Sequence, residues 1–228
     1  TPTGDFYGRV TFQDGQAVDS VEVRLETTDD ISGQSLYFSG SGSTAKVDDT
    51  SLLSDNSLPV TLQAWIKPAD VSSTTAQHII YKRNMYDLGI SAGKPYFSVG
   101  NAKISAAKAL SNTQFTHLSG VYDKTGGKIY LYINDSLATS GNCSTAPNQS
   151  TYAVTLGESY KGNIDEVRIW NKALSSNEIA TDYTRYLIGN ESKLAAYYTF
   201  DYISSEAFYD QSYVGSNYNE HHGTLSGV

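Results

Sequence analysis

One cysteine, Cys143, stands in a chain of 228 residues, so no internal disulfide is available. A chain of this length buries enough apolar surface to fold without one. Eukaryotic secreted domains usually pair their cysteines, so this avoidance leans towards a bacterial surface protein, although an intracellular protein would avoid them too. Long apolar runs are missing as well. None approaches the roughly 18 residues that a membrane-spanning helix needs, which argues against direct membrane insertion. The opening Thr1-Pro2-Thr3-Gly4 reads as a domain boundary rather than a secretion leader. Basic residues are in deficit: 16 Lys and Arg against 24 Asp and Glu leave a net charge of −8. Such a balance argues against nucleic acid and anionic lipid as main partners, and suits neutral sugars, Ca²⁺ or basic partners. Enzyme signatures are also missing. There is no Gly-x-Ser-x-Gly elbow, no His-Glu-x-x-His and no phosphate loop. Cys143 has no histidine near it in sequence and reads as an inert loop thiol. His78, His117, His221 and His222 lack the spacing of a convergent zinc set.

What is abundant is tyrosine (18) and glycine (19). Tyrosine serves both as a strand residue and as a recognition residue. Short alternating runs separated by turn residues are the all-β signal. They predict strands at 8–13, 20–26, 35–40, 60–67, 77–82, 86–91, 94–99, 115–122, 128–133, 153–156, 163–170 and 194–200, with a short return at 222–225. The polar, Tyr-rich stretch 204–219 reads as a long loop. One helix is expected: Ser175 lies three residues before Glu178 as a capping box, and Ile179, Tyr183 and Leu187 recur at helical spacing up to Gly189-Asn190. About a dozen strands with one late helix predict two packed antiparallel sheets. Period-two patterning places Trp65, Ile66, Val121, Leu131, Ile133, Leu156, Val167 and Ile169 in the core. Residues 1–30 are expected to supply edge strands, or to be the remnant of a preceding Ig-like domain. Residues 31–228 form the main domain.

Three segments carry a resemblance to a known family. They are Leu36-Tyr37-Phe38-Ser39-Gly40 with Ala45-Lys46-Val47, the run Val60–Pro68 around Trp65, and Gly162-Asn163-Ile164-Asp165-Glu166-Val167-Arg168-Ile169-Trp170-Asn171 with its capping box. Together they resemble the laminin-G-like (concanavalin A-like lectin/glucanase) domains of bacterial surface proteins, over about residues 35–200. The resemblance implies a two-sheet antiparallel jelly-roll sandwich with one short helix near the C-terminus, often Ca²⁺-binding. Asp165 is then implied as a Ca²⁺ ligand, with Ser39 and Gly40 contributing backbone oxygens and Asp201 or Asp210 from the tail. As a residue on a strand with apolar neighbours on both faces, Asp165 must in any case be paired, hydrogen-bonded or metal-bound. The glucanases of this fold carry a Glu-x-Asp-x-Glu triplet that is absent here.

The function expected is a non-catalytic, extracellular or cell-surface binding or adhesion module for a glycan or a cell-surface protein. A structural spacer in a large adhesin and a glycan hydrolase or lyase are the alternatives. Sugar platforms are sought among Tyr81, Tyr86, Tyr96, Tyr130 and Tyr132, each of which could equally be cross-strand filler. Trp65 and Trp170 read as core aromatics. Glu166 and Arg168, two apart on one strand face, read as a weak surface ion pair.

Overall fold

The computed structural model describes residues 33–201, 203–204, 206–214, 217–218 and 221–228. The chain divides into two compact units, Thr1–Asp30 and Ile31–Val228, and all described residues belong to the second. The strands expected at 8–13 and 20–26, and the role expected of residues 1–30, lie outside the described residues.

In chain order the strands are β1 (Leu36–Ser39), β2 (Thr44–Val47), β3 (Val60–Pro68), β4 (Gln77–Lys82), β5 (Tyr86–Ser91), β6 (Lys94–Val99), β7 (Ala102–Ser105), β8 (Thr116–Asp123), β9 (Lys128–Ile133) and β10 (Ser136–Asn142). They continue as β11 (Val154–Leu156), β12 (Lys161–Trp170), β13 (Leu194–Tyr198), β14 (Ala207–Phe208), β15 (Tyr213–Val214), β16 (Asn217–Tyr218) and β17 (Gly223–Ser226). Two short helices, α1 (Ser51–Ser54) and α2 (Ser176–Asp182), interrupt them. The first sheet runs β1-β12-β3-β8-β9-β10, with β13 also on β12. The second runs β14-β17-β2-β11-β4-β5-β6-β7, and β15 pairs with β16 apart from both. Every pairing is antiparallel, as a jelly-roll sandwich requires.

Alternation explains the core. Leu62, Ala64 and Ile66 of β3, Leu118 and Tyr122 of β8, and Ile129 and Leu131 of β9 point inward from the first sheet. Val154 and Leu156 of β11, Leu88 and Ile90 of β5, and Phe97 and Val99 of β6 meet them from the second. Each such Leu, Ile or Phe, fully buried, contributes about 1.5–3 kcal/mol. Of the eight residues placed in the core by pattern, Ile66, Val121, Leu131, Leu156, Val167 and Ile169 are buried, while Trp65 and Ile133 are only partly so. Val121 belongs to a second, smaller cluster on the outer face of the first sheet. There Tyr132, Trp170 and Leu194 are roofed by Leu174, Ile179 and Leu187 from α2 and its flanks.

The capping box forms as expected, with Ser175 Oγ accepting from Glu178 N–H and the Glu178 carboxylate accepting from Ser175 N–H. The helix stops at Asp182, however, short of the expected Leu187. Its end is captured from the sheet: the Arg168 guanidinium donates to the carbonyls of Asp182 (2.7 Å) and Arg185 (2.8 Å). Those carbonyls are thereby taken up by the sheet rather than by further helical turns. The expected loop at 204–219 contains the short strands β14, β15 and β16.

Candidate functional site

The outer face of the second sheet carries a polar and aromatic cluster. In β4 a bulge between His78 and Ile80 inserts Ile79 as an extra residue against β5. The bulge turns His78 and Tyr81 to the same outward face although they are three apart, and their rings stack at 4.5 Å. Asp87, opposite Tyr81 in β5, accepts from His78 Nδ1 at 2.9 Å and from Tyr96 Oη at 2.9 Å. Tyr96 reaches across Gly89, where an added Cβ would stand 2.6 Å from the Tyr96 hydroxyl. Lys103 Nζ then caps the Tyr96 ring at 3.8 Å. The ring of Tyr81 is thus braced by His78, itself held in orientation by Asp87.

Beside Tyr81 lies an open cleft of about 510 Å³, lined by Lys46, Tyr81, Arg83, Tyr152, Thr155 and Glu158. Lys46, Thr155 and Tyr81 stand opposite one another across β2, β11 and β4, so the cleft runs across the strands. Tyr152 is 49% exposed, and its position is fixed from beneath by Lys82. That buried ammonium donates to the Tyr152 carbonyl and to Asp49 Oδ1, each at 2.6 Å. Arg83 lies over the Tyr152 ring, 4.9 Å from its centroid. On the other side of Tyr81 a hollow of about 230 Å³ is bounded by Asn84, Asp87 and Ser98. Two partly exposed tyrosine rings with charged and hydroxyl groups between them can stack on an apolar ring face and hydrogen-bond its polar rim.

The tyrosines singled out in the sequence fare differently. Tyr86 is a correction: it is 4% exposed in the core, its hydroxyl directed to the Leu53 carbonyl, and offers no face to a ligand. Tyr132 is closed off too, because the second cluster packs over it, and Tyr130 is partly buried against the same cluster. Tyr96 is buried but its hydroxyl joins the Asp87 network, which makes it a brace rather than a platform. Tyr81 alone of these lines the cleft. Arg83, Tyr152 and Glu158 were not singled out in sequence. They come together only through the pairing of β11 with β4.

Asp165 lies at a second place of interest. Along β12 the neighbour on one edge changes from β1, paired through Ile164, to β13, paired from Val167. At the changeover β12 bulges against β3, and Glu166 adopts a φ of 49°. The bulge sends Ile164, Val167 and Ile169 all to the core, so regular alternation does not hold along β12. Glu166 and Arg168 are likewise not a surface pair. Their side chains are 1% and 0% exposed and meet at 2.7 Å, and the Tyr197 hydroxyl donates to the same carboxylate.

Asp165 is 3% exposed, and among the described residues its carboxylate accepts one hydrogen bond, from Glu166 N–H at 2.7 Å. Burial, with the adjacent Glu166 and the nearby Asp201 carboxylates adding to it, pushes the Asp165 carboxyl up to about 8. Asp201 borders the same junction and accepts from Gln34 N–H at 2.9 Å. A buried carboxylate with negative neighbours suits a hard cation, which would take these oxygens and complete its shell with carbonyls and water. Ser39 and Gly40 are not brought to this point: Ser39 pairs with Lys161, at the far end of the β1 register. Asp210 is engaged elsewhere, accepting from Tyr197 N–H, Ser212 N–H and Ser212 Oγ and facing His221. Among the described residues no group of three or more His, Cys, Asp or Glu side chains converges as a metal set.

Solved structures share the architecture at low identity. A protein from Bacteroides ovatus ATCC 8483, provisionally assigned carbohydrate binding, matches with a TM-score of 0.67 at 17% identity, over 84% of this chain and 59% of its own. The heptameric SAP-like pentraxin of Limulus polyphemus matches with a TM-score of 0.51 at 17% identity, over 67% of this chain and 82% of its own. Botulinum neurotoxin type C, whose cell entry depends on interaction with two ganglioside molecules, matches with a TM-score of 0.51 at 16% identity, over 82% of this chain and 57% of its own. This chain thus spans less than two thirds of the length of the Bacteroides ovatus protein and of the toxin chain. No curated protein sequence matches it. The family model described as the concanavalin A-like lectin/glucanases superfamily matches residues 39–180, well over half the chain, and the two antiparallel sheets agree with it, so the chain belongs to that superfamily.

Proposed function

We propose that this domain is a non-catalytic glycan-binding module that takes its ligand in the cleft beside Tyr81, on the outer face of the second sheet. The observation that carries the reading is the braced Tyr81 ring, which together with Tyr152 lines a cleft of about 510 Å³ that also bears hydroxyl and charged groups. A pyranose offers an apolar C–H face and a ring of hydroxyls, which match aromatic and polar groups respectively. The Bacteroides ovatus protein and the ganglioside-dependent toxin, both of this architecture, lend support. An extracellular or cell-surface setting follows from such a ligand. Within this reading Ca²⁺ is a structural ion at Asp165 and Asp201, remote from the sugar.

The test is a glycan-array screen of the wild-type domain beside Tyr81→Ala. The proposal expects binding to a defined set of glycans and a loss of about tenfold or more in the variant, the scale of one stacked ring. Equal binding by the two proteins would remove Tyr81 from the site.

A further inference from the structure

The cleft beside Tyr81 carries charge of the sign that the rest of the chain lacks. The net charge is −8, yet Lys46 and Arg83 both line this cleft. Neither makes an ion pair among the described residues, although nearby Asp49 and Asp87 do find partners. Asp49 is held by Lys82, and Asp87 by His78 and Tyr96. Glu158, the carboxylate in the cleft itself, accepts from Thr155 Oγ1 at 2.9 Å.

The placement of the cations is defined. Lys46 stands opposite Thr155, and Thr155 opposite Tyr81, so the backbones of Lys46 and Tyr81 are two strand spacings apart, about 10 Å. The Arg83 guanidinium lies over the Tyr152 ring, 4.9 Å from its centroid, and the residue is exposed. A guanidinium in such a position can meet a planar carboxylate or a sulfate with charge-assisted hydrogen bonds.

We infer that the ligand of this cleft is an anionic glycan, with Arg83 and Lys46 receiving its acid group while Tyr81 carries the neighbouring sugar face. This rests on the glycan-binding reading above and adds the class of sugar. Two unpaired cations against one carboxylate give the cleft a local positive excess, which selects an acidic sugar over a neutral one of the same shape.

Titration calorimetry with matched pairs of oligosaccharides tests this. Trigalacturonate is compared with its methyl ester, and a chondroitin oligosaccharide with and without its sulfates, each at low and high salt; a mixed neutral and acidic glycan array accompanies them. The acidic hits should bind about tenfold or more tightly than their uncharged or less charged partners, and salt should weaken them. The arm that responds tells a carboxylate from a sulfate. Arg83→Ala and Lys46→Ala, both at exposed positions, should each weaken acidic ligands more than their uncharged partners, narrowing the acidic preference, and keep the wild-type melting temperature. The inference fails if the array hits are neutral sugars, or if acidic binding survives Arg83→Ala while Tyr81→Ala abolishes it. In that case the glycan site itself stands. If no glycan of either kind binds, the glycan-binding reading falls and takes this inference with it.

Discussion

His117 faces outward from β8 between the rings of Trp65, at 5.4 Å, and Tyr183, at 5.8 Å. Neither of its ring nitrogens has a hydrogen-bond partner among the described residues. Burial, reinforced by the Arg168 guanidinium, drives the imidazole down to about 3. The unfolded chain takes up a proton near the ordinary histidine value of about 6.5, which the folded chain refuses until about pH 3. Stability due to this group is therefore complete above pH 6.5 and declines as pH falls through that window, by up to about 1.4 kcal/mol per pH unit. Melting temperatures from pH 7 to pH 4 should fall less steeply in His117→Phe than in the wild type. Parallel pH profiles would show that His117 titrates normally. Other residues show what could be read directly. Tyr86 shares its parity with Leu88 and Ile90, so β5 alone marks it as a core residue. The outward pairing of His78 with Tyr81 depends on a bulge, which no period-two pattern announces.

Among the elements, β4, β5, β6 and β9 begin and end where alternation puts them, because each has one face in the core. β10 was missed for the opposite reason: Ser136–Asn142 is a polar edge strand with no buried residue to set a period. Helix α2 was legible at its start, where the cap is local, and not at its end, where residues of β12 intervene. Ser175→Ala should cost about 1 kcal/mol in urea unfolding, and an unchanged midpoint would show the cap to be idle. Glu166→Ala strands the buried Arg168 charge and should cost about 3–5 kcal/mol. A loss under 1 kcal/mol is what a surface pair would give, and would contradict the burial of the pair. The junction of β1, β12 and β13 has its own test. With Ca²⁺ at Asp165 and Asp201, the ion adds about 2.7 kcal/mol at a hundredfold excess over Kd. Melting should rise with Ca²⁺, fall with EDTA, and become indifferent to both in Asp165→Asn. A wild-type protein that ignores EDTA would leave Asp165 as a purely structural carboxyl.

At the scale of the whole sandwich, the two outer faces are unlike. On the first sheet, α2 and its flanks cover Val121, Tyr132, Trp170 and Tyr197, and the open cleft of about 380 Å³ left along α2 is lined by Lys172, Glu178 and Arg185 with no tyrosine. On the second sheet, the row from Lys46 through Thr155 and Tyr81 to Asp87 lines an open cleft and hollow. This asymmetry is the reason the proposed glycan site is put on the second sheet. It was not readable from the sequence, since Tyr81, Tyr130 and Tyr132 look equivalent until the helix is placed over two of them. The most direct measurement is a map of backbone amide chemical shifts during titration with a glycan that the array identifies. Perturbations should concentrate in β2, β4, β5 and β11 and around Tyr152, and leave β8, β9 and α2 unmoved. Perturbations gathered on α2 and the outer face of the first sheet would contradict the assignment.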